Sequence, residues 1–136
     1  MKIAYGVLGA LLLVLAGCGG DDGGLPTIVP PPGTPPAIST LQFSKNTVDS
    51  MILGTIDYAD PEGDLDYLTI GVVDSTGFEV YRVYIDLGAF VGQATGTLDF
   101  SIDYVLLPAT VYTFTISVYD RSGNPSNPLF ATFQVP

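Results

Sequence analysis

Tyr112-Thr113-Phe114-Thr115-Ile116-Ser117-Val118-Tyr119 is the stretch on which the fold is decided. Large apolar side chains take every second position, and hydroxyl-bearing residues fill the places between. On an extended chain successive side chains point to opposite faces, so Tyr112, Phe114, Ile116 and Val118 form one face. Thr113, Thr115, Ser117 and Tyr119 form the other. The preceding run repeats the pattern, with Leu98, Phe100, Ile102 and Tyr104 set against Thr97, Asp99, Ser101 and Asp103. A strand with one apolar and one polar face needs a second sheet over its apolar side. The expected class is therefore all-β, in two layers.

Working outward, strand signals separated by turn residues recur along the chain from Ala37. Strands are expected near 38–43, 51–58, 66–74, 78–87, 95–105, 111–120 and 128–135, and no helical period competes with them. Asp74-Ser75-Thr76-Gly77 is short enough for a hairpin, which places the third and fourth strands in one sheet. That favours the fibronectin type III arrangement, A-B-E facing C′-C-F-G. Leu107-Pro108-Ala109-Thr110-Val111-Tyr112 resembles the E–F corner of such modules, and the resemblance implies Tyr112 as the tyrosine-corner residue. Tyr112 to Asn124, ending Val118-Tyr119-Asp120-Arg121-Ser122-Gly123-Asn124, is similar to the F strand and F–G turn of bacterial fibronectin- or immunoglobulin-like modules. This likeness spans 37–136 and implies a seven-stranded immunoglobulin-like antiparallel sandwich. It says little about function.

The first residues read as an address. Met1-Lys2 supplies a short positive start, and Ile3 to Ala16 is unbroken apolar and small, too short to span a bilayer as a helix. The run closes on Leu15-Ala16-Gly17-Cys18, which resembles the bacterial lipobox. The resemblance implies a signal peptide over 1–17, cleavage before Cys18, and diacylglyceryl and palmitate groups on that cysteine. Paired acyl chains would hold the chain on a membrane in the bacterial cell envelope, whereas a single chain binds marginally. Gly19 in place of Asp implies, by the same likeness, the outer membrane over the inner. Residues 18–36 read as a linker, flexible over the Gly/Asp part and polyproline-like over Pro26–Pro36, with a reach of ~34 Å.

Composition narrows the chemistry. The chain has four Lys+Arg, fourteen Asp+Glu and a formal charge of −10. Loss of Lys2 with the signal peptide would make it −11. Such a surface repels phosphate backbones and excludes nucleic-acid binding. There is no histidine, and Cys18 is the single cysteine. Histidine- and cysteine-based catalysis, zinc sites and an intrachain disulfide all fall away. A carboxylate pair of the glycosidase kind would need a deep cleft, and a sandwich of this size without tryptophan offers little concavity. The expectation is a non-enzymatic binding, adhesion or assembly module, with a plain structural spacer as the alternative.

Two constellations remain. Asp57-Tyr58-Ala59-Asp60-Pro61-Glu62-Gly63-Asp64-Leu65-Asp66 holds four Asp and one Glu within ten residues. It is similar to the Asp-Pro-x-Gly-Asp loops of bacterial cadherin-like surface modules. Because the B–C and F–G loops of a sandwich share an end, Asp60, Glu62, Asp64, Asp120 and Asn124 form a candidate Ca²⁺ set. The competing reading needs no cofactor: Asp60, Pro61 and Gly63 suit the first, second and fourth places of a β-turn. The second constellation is aromatic. With Leu68, Ile70 and Val72 facing the core, Tyr67 and Thr69 face outward on strand C. Tyr119 does so on neighbouring strand F, so Tyr67 and Tyr119 should meet near the loop end. They would anchor an unidentified protein or glycan partner, or serve as a cross-strand pair and nothing more.

Overall fold

The computed structural model describes residues 33–136. The expected signal peptide, Cys18 and the linker up to residue 32 lie outside the described residues. The strands are β1 (Ala37–Asn46), β2 (Met51–Ala59), β3 (Leu65–Val73), β4 (Glu79–Asp86), β5 (Thr95–Asp103), β6 (Val111–Asp120) and β7 (Leu129–Gln134). A single 3-10 turn, Gly88–Phe90, lies between β4 and β5. They form a sheet in the order β1-β2-β5 and another in the order β4-β3-β6-β7, antiparallel throughout. This is the A-B-E over C′-C-F-G sandwich that the alternating runs and the hairpin imply.

The core sits between the sheets and is aromatic at its centre. Phe114 on β6 meets Phe43 edge-on at 5.3 Å, Phe100 at 5.9 Å and Phe133 at 6.1 Å between ring centroids. Tyr112 stacks on Phe133 at 5.6 Å and donates its hydroxyl to Pro108 O at 3.0 Å, closing the tyrosine corner. Ile52, Ile56, Leu68, Ile70, Val72, Leu98, Ile102, Ile116 and Val118 complete the layer, all buried. Each such side chain contributes about 1.5–3 kcal/mol relative to exposure.

Gly54 shows why a gap in the alternation is required. The register row Phe43–Gly54–Phe100 crosses the first sheet, and a Cβ at Gly54 would lie 2.3 Å from Phe100 Cζ and 2.7 Å from Gln42 O. The Phe100 ring occupies the space that a side chain would need.

Two bulges set which residues face outward. Between β3 and β6 the register runs Leu65↔Asp120 and then Tyr67↔Tyr119, leaving Asp66 without a partner. Leu65 and Tyr67 stand two apart and would share a face in a regular strand, yet Leu65 is in the core and Tyr67 on the outside. Between β3 and β4 the register runs Val72↔Tyr81 and then Val73↔Glu79, so Val80 is the extra residue. A bulge re-aims the side chains beyond it.

Outer-face residues of the central strand differ from the simple expectation of exposure. Thr69 and Gly71 are buried, because neighbouring side chains from β4 and β6 lie over them.

Both loop sets are segregated. Ala37, the 60–64 loop, the 87–94 connection and the 121–128 loop share one end of the sandwich; the 47–50 turn, the 74–78 hairpin, the 104–110 corner and Pro136 share the other.

Candidate functional site

At the first of those ends the acidic loop folds into a turn. Gly63 N donates to Asp60 O at 3.0 Å, and Gly63 has φ +64, which a residue bearing a Cβ adopts poorly. Asp60 is fully buried, and its Oδ2 accepts from Asp64 N at 2.7 Å. Asp120 is buried as well: its Oδ1 accepts from Asn124 N at 2.8 Å and its Oδ2 from Asn124 Nδ2 at 2.8 Å. A further amide, Arg121 N, donates to Asp64 O at 3.0 Å and clips the two loops together.

The sequence therefore brings Asp60, Asp64 and Asp120 into one neighbourhood, as the shared loop end implies. It does not arrange them as ligands. Among the described residues no three Asp, Glu, Cys or His side chains are grouped to hold a metal ion. Amide donors occupy Asp60 Oδ2 and both oxygens of Asp120, whereas Asp60 Oδ1 is buried with no hydrogen-bond partner among the described residues; Glu62 turns to the incoming chain by accepting from Thr34 N at 3.0 Å. Asn124 Nδ2 also donates to Gly33 O at 3.2 Å. The two contacts fasten the residues preceding β1 to the acidic end.

Crowding of like charges leaves an electrostatic mark. Partial burial, followed by the charges of Asp60, Asp120 and Glu62, holds the Asp64 carboxyl above its ordinary value. Glu62 shifts downward, chiefly through the Thr34 hydrogen bond.

The aromatic constellation lies on the outer face of the β4-β3-β6-β7 sheet, beside this end. Tyr67 and Tyr119 are register partners and stack with centroids 4.7 Å apart and planes 11° from parallel. Tyr84 on β4 extends the row, 6.0 Å from Tyr67 and tilted by 49°. It is 66% exposed, whereas the stacked pair is half-buried. Desolvation raises the Tyr67 phenol, and Tyr119, Asp66 and Tyr84 add to it.

Beside the row lies a shallow trough of about 250 Å³, with Tyr119 at its edge. Gly71 forms its floor. Arg82 and Glu79 form a two-point ion pair over that floor; a Cβ on Gly71 would sit 3.1 Å from Glu79 Oε2 and 3.4 Å from Arg82 Nη2. Residues three apart on a regular strand point to opposite faces, so this pair exists because the bulge at Val80 turns Glu79 outward. The pairing lowers Glu79 and raises Arg82.

Tyr84, Glu79 and Arg82 are additions to the residues singled out from sequence. The period-two run Arg82, Tyr84, Asp86 against Val83 and Ile85 was the available signal for Tyr84.

No protein-family model matches the chain, and no curated protein is similar to it. Solved structures give a likeness of fold. Wild-type OgpA from Akkermansia muciniphila, in two crystal forms, superposes with TM-scores of 0.59 and 0.57 at 17% and 14% identity, over 75% of this chain. The likeness is to the sandwich alone. The chain spans 28–29% of the OgpA chains it matches. A DUF3244 family protein with an immunoglobulin-like β-sandwich fold from Bacteroides vulgatus gives a TM-score of 0.39 at 16% identity, over 75% of this chain and all of that one.

Proposed function

We propose that the protein is a non-enzymatic binding module, lipid-anchored through Cys18 in the bacterial cell envelope, which engages a partner through the outer face of its β4-β3-β6-β7 sheet. The observation that carries this reading is the row Tyr84–Tyr67–Tyr119, with Tyr84 two-thirds open to solvent beside a concave patch. Tyrosines bring large contact area with a polar tip and are enriched where proteins hold ligands. Catalysis has little to work with here, since histidine is absent and Asp60 Oδ2 and both oxygens of Asp120 are engaged by amides.

The lipobox-like Leu15-Ala16-Gly17-Cys18 supports the anchor, and Gly19 supports the outer membrane by the same likeness. Because Gly33 and Thr34 are fastened at the acidic end, a lipid on Cys18 would tether the domain by that end. The tyrosine face would then stand to one side of the tether.

A photo-crosslinking residue in place of Tyr84, in cells that make the protein, tests the reading. Adducts from position 84 and none from position 101, on the outer face of the other sheet, are expected. Identical adduct patterns from both positions, or none from either, would overturn it.

A further inference from the structure

We propose that the trough beside the tyrosine row binds a neutral oligosaccharide, an inference that rests on the tyrosine face being the binding surface. Its lining is the reason. Thr115 and Ser117 put hydroxyl-bearing side chains beside the Gly71 floor, the buried Thr69 donates its own hydroxyl to Ser117 O at 3.4 Å, and the Glu79–Arg82 pair lies across the floor. Protein anchors are dry apolar pockets that take an aliphatic or aromatic side chain. This trough is polar, with rings at its border and not at its base.

Charge selects the ligand further. Arg82 commits Nε and Nη2 to Glu79, which leaves guanidinium N–H groups free to donate. Glu79 has acceptor capacity beyond those two bonds. The pair thus offers donors and acceptors side by side with no net charge. A hydroxyl group, itself donor and acceptor, matches that arrangement. A phosphate or carboxylate does not, because Glu79 neutralises the cation it would need and the chain carries −10 overall.

Size and shape agree with a single sugar ring held in the trough. The trough has a volume of about 250 Å³. The exposed Tyr84 ring, next to Arg82 along the strand face, supplies an apolar platform for the C–H side of an adjoining ring. The bulge at Val80 is what builds the site: without the extra residue Glu79 would turn inward and the pair over Gly71 would not form.

The test uses the full-length chain, purified in a detergent without a sugar headgroup, on a printed array of neutral, sialylated, sulfated and uronic-acid oligosaccharides. Binding confined to neutral members is expected, and titration of the best one should weaken at least tenfold in Gly71→Val and in Tyr84→Ala. Ser101→Ala, on the opposite sheet, should bind as the parent does. Should Gly71→Val fail to fold, Ser117→Val removes a trough hydroxyl from a β-favouring position and should show the same loss. Binding of acidic glycans alone, an array without signal, or neutral binding undisturbed by the folded variants overturns the proposal. Adducts from position 84 together with a silent array would leave the tyrosine face as a binding surface for another class of partner. Failure of both would remove the surface as well.

Discussion

Tyr112 and Tyr58 are both buried, but their hydroxyls have opposite fates. The Tyr112 hydroxyl reaches Pro108 O at 3.0 Å, while Tyr58 Oη has no hydrogen-bond partner among the described residues. Removing one half of a made bond strands the other half, whereas removing an unpaired buried hydroxyl relieves a desolvation cost. Tyr112→Phe should therefore lose about 0.5–1.5 kcal/mol, and a loss of 1 kcal/mol lowers the melting temperature of a domain this size by about 4–8 °C. Tyr58→Phe should melt at or above the parent temperature. Paired calorimetric scans decide it, and equal losses in both variants would contradict the corner. Asp64 is the second residue with a defined outcome. Its carboxyl lies above the ordinary value near 3.8, so the folded state holds that proton more tightly than the unfolded chain. Its contribution to stability is complete below the unfolded value and is lost as pH rises through the folded one. Ionised Asp64 consequently works against the fold at neutral pH. Asp64→Asn should raise the melting temperature at pH 7 and leave it unchanged well below pH 3.8, where Asp64 is protonated in both the folded and unfolded states. Equal gains at both pH values would mean that charge is not the cause.

Among the elements, β2 is the one whose sequence conceals its constraint. Gly54 looks like a weak point in a strand, since glycine packs nothing and costs backbone entropy. Its neighbours reverse that reading. A Cβ would meet both Phe100 and the backbone oxygen of Gln42 inside contact distance, and the backbone cannot swing away as a side chain can. Gly54→Ala is expected to destabilise by about 1–3 kcal/mol despite alanine's lower entropy cost. Urea unfolding will show it, and a neutral or stabilising effect would mean that β1 and β2 are further apart than described. Strand β4 makes a related point. Counting outward from the hairpin at Asp74–Gly77 without a bulge would pair Tyr67 with Ile85 and turn Tyr84 to the core. The alternation within β4 itself says the reverse, and the bulge at Val80 reconciles the two by pairing Tyr67 with Asp86. A one-residue shift exchanges the faces of every side chain beyond it, so a bulge is worth a whole strand's orientation.

For the whole molecule, the two ends of the sandwich have different roles. Backbone and side-chain bonds at Gly33 and Thr34 fasten the incoming chain to the acidic end, so the proposed lipid on Cys18 would act on that end. Cys18→Ser should release the protein from the membrane fraction and abolish incorporation of a palmitate analogue, because an acidic chain has almost no other membrane affinity. Labelling that persists in the variant would sink the lipoprotein reading. The sandwich itself was legible in advance, and its strand order came with the fibronectin type III arrangement that the hairpin favours. Period-two alternation in 97–104 and 112–119 dictates faces locally, and the short Asp74–Gly77 turn leaves one way to pair its strands. Tyr67 and Tyr119 could be brought together on paper for the same reason, and the tyrosine corner was implied by the likeness of Leu107 to Tyr112 to an E–F corner. What residue order by itself determined, then, was everything governed by local periodicity and short turns. Tertiary structure decided what depends on register between strands distant in sequence. It placed the bulges at Asp66 and Val80, which bring Tyr67 and Glu79 outward and set the ion pair over Gly71. It also turned Asp60 Oδ2 and both Asp120 oxygens onto backbone and Asn124 amides, leaving Asp60 Oδ1 buried without a hydrogen-bond partner among the described residues. Period alone cannot reveal a bulge, because an extra residue is favourable only when the partner strand and the core beyond it are already in position.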